Sequence, residues 1–233
     1  MIKNIGNFKD KIDGTIKCVY EIENKKIVEM SVLYNKEDKD VVCVPTHHFC
    51  NLGCKMCHLT NKGLNKKMIR IEIDDFMKCL IETLNKYKTN KSKLLISLMG
   101  VGEPLLNIDL IFDVFKNEDK IKALGYESVS YALSTMMPND NLEKLSVLVN
   151  EYNIPIKFIK FNEINTLKKS DNEEIWIKSL KEELPNLNIK SYSPPGRCVG
   201  SSCGEFTKHY YHYEIETKEE KENFLKWKKE YEI

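Results

Sequence analysis

The chain has 233 residues, enough to bury a core, and 42% of them are hydrophobic. Its 36 Lys+Arg against 35 Asp+Glu leave a net charge of +1, so global charge neither argues for a nucleic-acid partner nor excludes one. No apolar run reaches the roughly 20 residues of a membrane span, and the start Met1-Ile2-Lys3-Asn4 lacks the apolar core of a signal peptide, so a cytoplasmic protein without a membrane partner is expected.

In chain order, Ile16 to Glu21 and Lys26 to Leu33 predict two short strands with Asn24-Lys25 at the turn. Five further apolar runs predict strands: Val41–Pro45, Leu94–Met99, Ser128–Ser134, Ile156–Phe161 and Asn188–Tyr192. Four helices are predicted between them. The first covers Asp74 to Lys86, with Met77, Leu80, Ile81 and Leu84 at core-facing spacing, and the second Ile108 to Lys122, with Gly125 as its stop signal. The third starts at Asp140 with Glu143 as capping partner, and the fourth at Ser170 with Glu173. From Glu216 to Ile233 a charged helix is expected, with Phe224, Leu225 and Trp227 as its apolar contacts.

Strand–helix alternation with short connections implies an α/β fold, a parallel sheet covered by helices. Five units are too few for a closed eight-stranded barrel, so an open, partial (β/α) barrel is expected. The expected division is an N-terminal β extension over 1–40, the partial barrel over 41–215 and a C-terminal helix over 216–233.

Eight cysteines in a reducing compartment point to metal ligands and reactive thiols rather than a disulfide framework. Cys50, Cys54 and Cys57 stand in a C-x3-C-x2-C spacing directly after the first of the five strands. Closely spaced thiolates on one loop can wrap an iron–sulfur cluster, and three ligands leave one iron open to a small molecule. The alternative is a zinc site completed by His58 or His48, although no second C-x2-C pair is present. Cys43, at the end of an apolar strand, reads by itself as a small buried hydrophobe. Cys203 follows a Ser pair in a polar loop, with Cys198 as a rival five residues earlier, and Cys18 and Cys79 are taken as structural. Glu29, between Val28 and Met30, fits a solvated glutamate on an edge strand.

The cysteine triplet resembles the signature of the radical S-adenosylmethionine (SAM) superfamily. Gly100-Val101-Gly102-Glu103-Pro104, after the second of the five strands, is similar to that family's G-E-P motif. The alternative for this segment is a strand–helix turn, with Asn107 capping the second helix. Further stretches resemble the RlmN/Cfr branch, methyltransferases of adenine carbons in RNA. They are Asp13-Gly14-Thr15-Ile16-Lys17, Glu29 in Ile27-Val28-Glu29-Met30, and Cys43-Val44 seven residues before the triplet. Gly63-Leu64 to Glu72-Ile73 and Ser201-Ser202-Cys203-Gly204-Glu205-Phe206 complete the set, which spans about residues 12 to 206. The chain departs from the branch at Ser193, where an asparagine is usual, and at Pro45-Thr46-His47-His48-Phe49. The middle is shorter, and the accessory domain that helps relatives grip RNA is expected to be absent.

The resemblance implies a radical SAM partial barrel with a [4Fe–4S] cluster on Cys50, Cys54 and Cys57. It implies SAM held by Gly102, Glu103, Ser134 and Ser193. Cys203 would take a methyl group from one SAM, a second SAM would supply a radical, and the product would remain linked to Cys203 until Cys43 attacks its sulfur to form a disulfide. Glu29 would accept the proton as aromaticity returns. The implied partners are an RNA substrate, rRNA or tRNA, and a flavodoxin- or ferredoxin-type reductant, with the protein a monomer. Two other functions compete: a radical SAM enzyme acting on a peptide or small molecule, and a zinc-stabilised interaction module without catalysis.

Overall fold

The computed structural model describes residues 2–23, 26–34, 36–55, 57–61, 63, 68–135, 147–148, 152, 175, 178, 182, 196–201 and 217–233. Its strands are β1 (Lys3–Lys9), β2 (Ile16–Ile22), β3 (Lys26–Leu33), β4 (Asp40–Val44), β5 (His47–Phe49), β6 (Ile69–Arg70), β7 (Lys93–Leu98) and β8 (Ser128–Leu133). The helices are α1 (His58–Asn61), α2 (Ile73–Tyr87), α3 (Ile108–Lys116), α4 (Glu118–Lys122) and α5 (Lys218–Tyr231). The strands predicted at 156–161 and 188–192, and the starts of the third and fourth predicted helices, lie outside the described residues. Val147, Leu148 and Tyr152 within the third, and Ile175, Lys178 and Glu182 within the fourth, are helical.

One sheet organises the molecule, in the order β1-β2-β3-β4-β7-β8. Strands β1 to β4 run antiparallel in succession, and β4, β7 and β8 run parallel. The fold is thus mixed α/β. The N-terminal strands continue the same sheet, and β1 was not legible because Asn4, Gly6 and Asn7 are poor strand formers.

The two faces of the sheet differ because strand residues alternate. On one face Cys18, Tyr20, Val28, Met30, Val42, Ile96 and Leu98 are buried. Helices α2 and α3 cover that face with Phe76, Met77, Leu80, Leu84, Ile108, Ile111 and Val114. Those positions recur at three- and four-residue steps, the spacing that sets one stripe of a helix against a core. Each fully buried Leu or Ile contributes about 1.5–3 kcal/mol. Asp40 fixes the start of β4 by accepting from Thr89 N (2.8 Å), Thr89 Oγ1 (2.6 Å) and the Tyr126 hydroxyl (2.9 Å).

Two details differ from the sequence-based expectation. The second helix breaks at Asn117 into α3 and α4, because the Asn117 backbone N–H and side-chain amide both donate to the Asp113 carbonyl and end the first segment. In α5, Leu225 is exposed, and the apolar stripe is Phe224, Trp227 and Tyr231 instead. That stripe packs on Phe8, with the Phe8 and Trp227 ring centroids 4.6 Å apart. A capping box between Thr217 and Glu220 starts the helix.

Candidate active site

The opposite face of the sheet carries a polar row beside an apolar cluster of Phe8, Val19, Ile27 and Val199, on which the α5 stripe packs. The register places Phe8, Lys17, Ser31, Cys43, Ser97 and Ala132 in one row across all six strands. Lys17 and Glu29, both buried, form an ion pair at 2.7 Å. Glu29 is therefore not the solvated edge residue its alternation suggested. Ser31 Oγ, between Lys17 and Cys43 in the row, is buried without a hydrogen-bond partner among the described residues. A buried polar row of this kind costs stability unless its groups are paired, as Lys17 is with Glu29.

Cys43 is buried in an apolar patch with Leu59 and Val101, against which Phe49, Met99, Cys50 and Cys57 pack. The strand-end thiol and two thiols of the triplet thus share one patch. Cys50, Cys54 and Cys57 are half-buried on the loop after β5, with the Cys57 N–H donating to the Cys54 carbonyl at 2.9 Å. Burial pushes all three thiols up. The neighbouring thiols and the Glu103 carboxylate push Cys50 and Cys54 the same way.

Among the described residues no three His, Cys, Asp or Glu side chains stand at metal-binding spacing. The donor chemistry nevertheless fits an iron–sulfur cluster. Three thiols lie on one loop, Cys50 and Cys57 against an apolar wall, and each becomes a thiolate when it ligates iron. His48 donates its Nδ1–H to the Ile27 carbonyl at 3.0 Å, which fixes its tautomer with the lone pair on Nε2.

The Gly100-Val101-Gly102 turn fits closely against the β4–β5 connection. A Cβ on Gly100 would stand 2.7 Å from Pro45 N, and one on Gly102 would run into His47 Nδ1 and Thr46 Oγ1. Gly102 also has φ +108°, a backbone conformation that favours glycine. The Val101 carbonyl accepts from Thr46 N (2.9 Å) and His47 N (3.1 Å). Buried Glu103 accepts from Leu105 N (3.1 Å) and from Thr135 Oγ1 (2.5 Å), which joins this turn to the end of β8. Ser134 is half-buried beside Thr135, and its N–H donates to the Leu98 carbonyl at 3.4 Å. Asn107 does not cap a helix with its side chain. Its amide donates to the Thr46 (2.8 Å) and Ile71 (3.2 Å) carbonyls and so ties the same loops together.

His47 is buried under this turn, its Nδ1 2.9 Å from Thr46 Oγ1, and its Nε2 has no hydrogen-bond partner among the described residues. Burial first, then the charges of Arg70 and His48, pull its pKa down to about 4.

Cys203 and Ser193 lie outside the described residues, but the turn 196–201 before Cys203 is described. The Gly196 N–H donates to Asp13 Oδ2 (2.7 Å), and the Cys198 N–H to Asp10 Oδ2 (2.9 Å). Lys17 Nζ donates to the Gly200 carbonyl at 3.3 Å, and Trp227 Nε1 to the Cys198 carbonyl at 3.0 Å. The Cys198 thiol is pushed up by burial and by Asp10, which lowers its reactive thiolate fraction relative to a free cysteine. The contacts of Asp10 and Lys17 with the turn 196–201 were not foreseen from sequence. The signal was the Asp13–Lys17 motif itself, whose contacts on the far end of the chain no local pattern reveals.

Comparison with known proteins gives a fold likeness first. No family model matches the chain. By fold it is similar to a radical SAM methyltransferase from Sphaerobacter thermophilus, with a TM-score of 0.55 and 13% identity over 88% of this chain and 80% of that one.

The sequence narrows the likeness to RlmN-like radical SAM proteins. The chain is 31% identical over 128 residues to the probable dual-specificity RNA methyltransferase RlmN of Staphylococcus saprophyticus, covering 54% of this chain and 34% of the relative. Proteins of the same name from Lysinibacillus sphaericus and Staphylococcus aureus strain MW2 are each 30% identical over 128 residues. The matched segment spans about a third of the length of these curated relatives. No helix among the described residues is long and apolar enough to cross a membrane.

Proposed function

We propose that the chain is a radical SAM methyltransferase acting on an adenine carbon, carbon 2 or carbon 8, of rRNA or tRNA. One observation carries the reading: Cys43 shares an apolar patch with Cys50 and Cys57. Simple radical chemistry needs no fourth thiol beside the cluster loop, whereas release of a sulfur-linked product does. Cys50, Cys54 and Cys57 would hold a [4Fe–4S] cluster, with SAM against Gly102, Glu103, Ser134 and Ser193. When bound, that pair supplies the carbon radical that an unactivated aromatic carbon requires.

The chain's own residues do the rest. The Cys203 thiolate accepts a methyl group and carries it as a thioether. The Cys43 thiolate attacks the Cys203 sulfur; the product carbon leaves with the electron pair of the broken sulfur–carbon bond and takes up a proton to become the methyl group, and the disulfide left behind is returned to two thiols by an external dithiol. Glu29 takes the proton lost from the adenine carbon. The reading includes a cytoplasmic monomer that draws electrons from a flavodoxin- or ferredoxin-type donor. Residues 41–215 would form its catalytic unit, flanked by 1–40 and 216–233.

Mass spectrometry of cellular RNA nucleosides, with active protein and with the Cys54→Ser variant, tests the proposal. The expected result is a C-methyladenosine present only with active protein. Unchanged nucleosides from a protein that still cleaves SAM would turn the reading to a peptide or small-molecule substrate.

A further inference from the structure

The turn before Cys203 is held by the segment after β1. Asp13 is exposed, yet its Oδ1 accepts from Thr15 N (2.9 Å) while its Oδ2 takes the Gly196 N–H (2.7 Å), 183 residues away. A Cβ on Gly196 would stand 2.9 Å from Thr15 Cγ2 and 2.8 Å from Ser201 Cβ, so the two segments meet without a gap. Buried Lys17 spends its ammonium on two groups, the Glu29 carboxylate (2.7 Å) and the Gly200 carbonyl (3.3 Å). Lys17, Ser31 and Cys43 are successive in the row across β2, β3 and β4.

The chain's reach turns these contacts into a positional constraint. Neighbouring strands lie about 4.8 Å apart, which puts Cys43 roughly 10 Å across the sheet from Lys17. Three residues, the separation of Gly200 from Cys203, span at most about 10 Å. With Gly200 anchored over Lys17, the three-residue link is therefore just long enough to span to Cys43.

We propose that Asp13 and Lys17 are positioning residues that clamp the turn 196–201 to the polar face and hold Cys203 within disulfide reach of Cys43. Lys17 serves the site twice, because the same ammonium also fixes the Glu29 carboxylate. The assignment rests on the proposed roles of Cys43 and Cys203, but its geometric part can be measured without the cluster. The Cys43–Cys203 disulfide is formed in full-length protein in a glutathione redox buffer. The two thiols give up two electrons and two protons to one oxidised glutathione, which leaves as two reduced molecules. The disulfide-linked peptide is quantified by mass spectrometry.

Asp13→Ala removes two charge-assisted hydrogen bonds, one local to Thr15 and one to Gly196, and is expected to lower the Cys43–Cys203 effective concentration about tenfold or more, with little change in melting temperature. Asp13→Asn, which keeps one acceptor oxygen, should fall between. In the cluster-loaded enzyme Asp13→Ala should slow methylation of Cys203 while SAM cleavage continues, a split that general destabilisation would not produce. Lys17→Met should show the larger loss where it folds, and Asp13→Ala carries the test where it does not. A disulfide forming in Asp13→Ala at the wild-type rate overturns the clamp. So does a wild-type protein that never forms the Cys43–Cys203 disulfide. Wild-type protein that forms it but never carries methyl on Cys203 upholds the clamp and removes the proposed reaction instead.

Discussion

The two faces of the sheet are built from the same strands and hold opposite chemistry. On the face under α2 and α3, every second residue is apolar, and the helices seal it. On the other face Phe8, Val19 and Ile27 form a small apolar cluster under α5, and beside them Lys17, Glu29, Ser31, Cys43 and Ser97 are buried although polar or reactive. The first face repays the conformational cost of folding. The second adds little stability and keeps reactive groups at fixed separations. The contrast teaches that a buried ion pair or thiol here is to be read against its face: Cys18 and Cys79 lie in the core on the sealed side, whereas Cys43 lies on the opposite side beside the cluster loop, where its proposed role requires it.

Breaking the polar face at its ion pair should have the largest effect. Lys17→Met leaves a buried carboxylate without its cation and is expected to cost about 3–5 kcal/mol, while Lys17→Met combined with Glu29→Gln should recover most of that. Urea titration of both variants checks this, and equal losses would show that the pair is not acting as one. On the sealed face, Leu80→Ala should cost about 2–5 kcal/mol through a cavity. In the protein that remains folded it should leave the Cys43–Cys203 disulfide rate unchanged, and a slowed disulfide would blur the distinction between the faces.

The third effect is pH-dependent and belongs to the turn beside the cluster loop. The unfolded chain binds a proton at His47 near pH 6.5, whereas the native state resists it until about pH 4. The native state therefore binds fewer protons in that window, and stability falls as pH drops through it, by up to roughly 3 kcal/mol. His47→Gln should flatten that part of the stability curve, and an identical slope in the variant would remove His47 as its source. Smallest is the capping box of α5, where Thr217→Ala should cost about 1 kcal/mol, read as a small drop in melting temperature.

The sequence made the apolar face legible through periodicity, as in α2, whose Met77, Leu80 and Leu84 are all buried as predicted. The triplet Cys50, Cys54 and Cys57 and the turn at Gly102-Glu103 were legible because their spacing is local. The row Lys17–Ser31–Cys43 was not, since a charged residue alternating with apolar ones reads as solvated until the register shows what lies opposite. Strand β1 was hidden by its asparagines and glycine, and it pairs only because β2 offers an edge. The anchoring of 196–201 joins residues far apart in the chain, and no pattern within one segment reports such a contact.

The central claim is that Cys43 frees the product from Cys203, and the Cys43→Ala variant expressed in cells tests it most directly. Without the Cys43 sulfur nothing attacks the Cys203 sulfur, so the protein should carry bound RNA, seen as an upward gel shift that nuclease abolishes. The Cys43→Ala/Cys203→Ala double variant should show no shift. An unshifted Cys43→Ala protein that still methylates RNA would contradict the account.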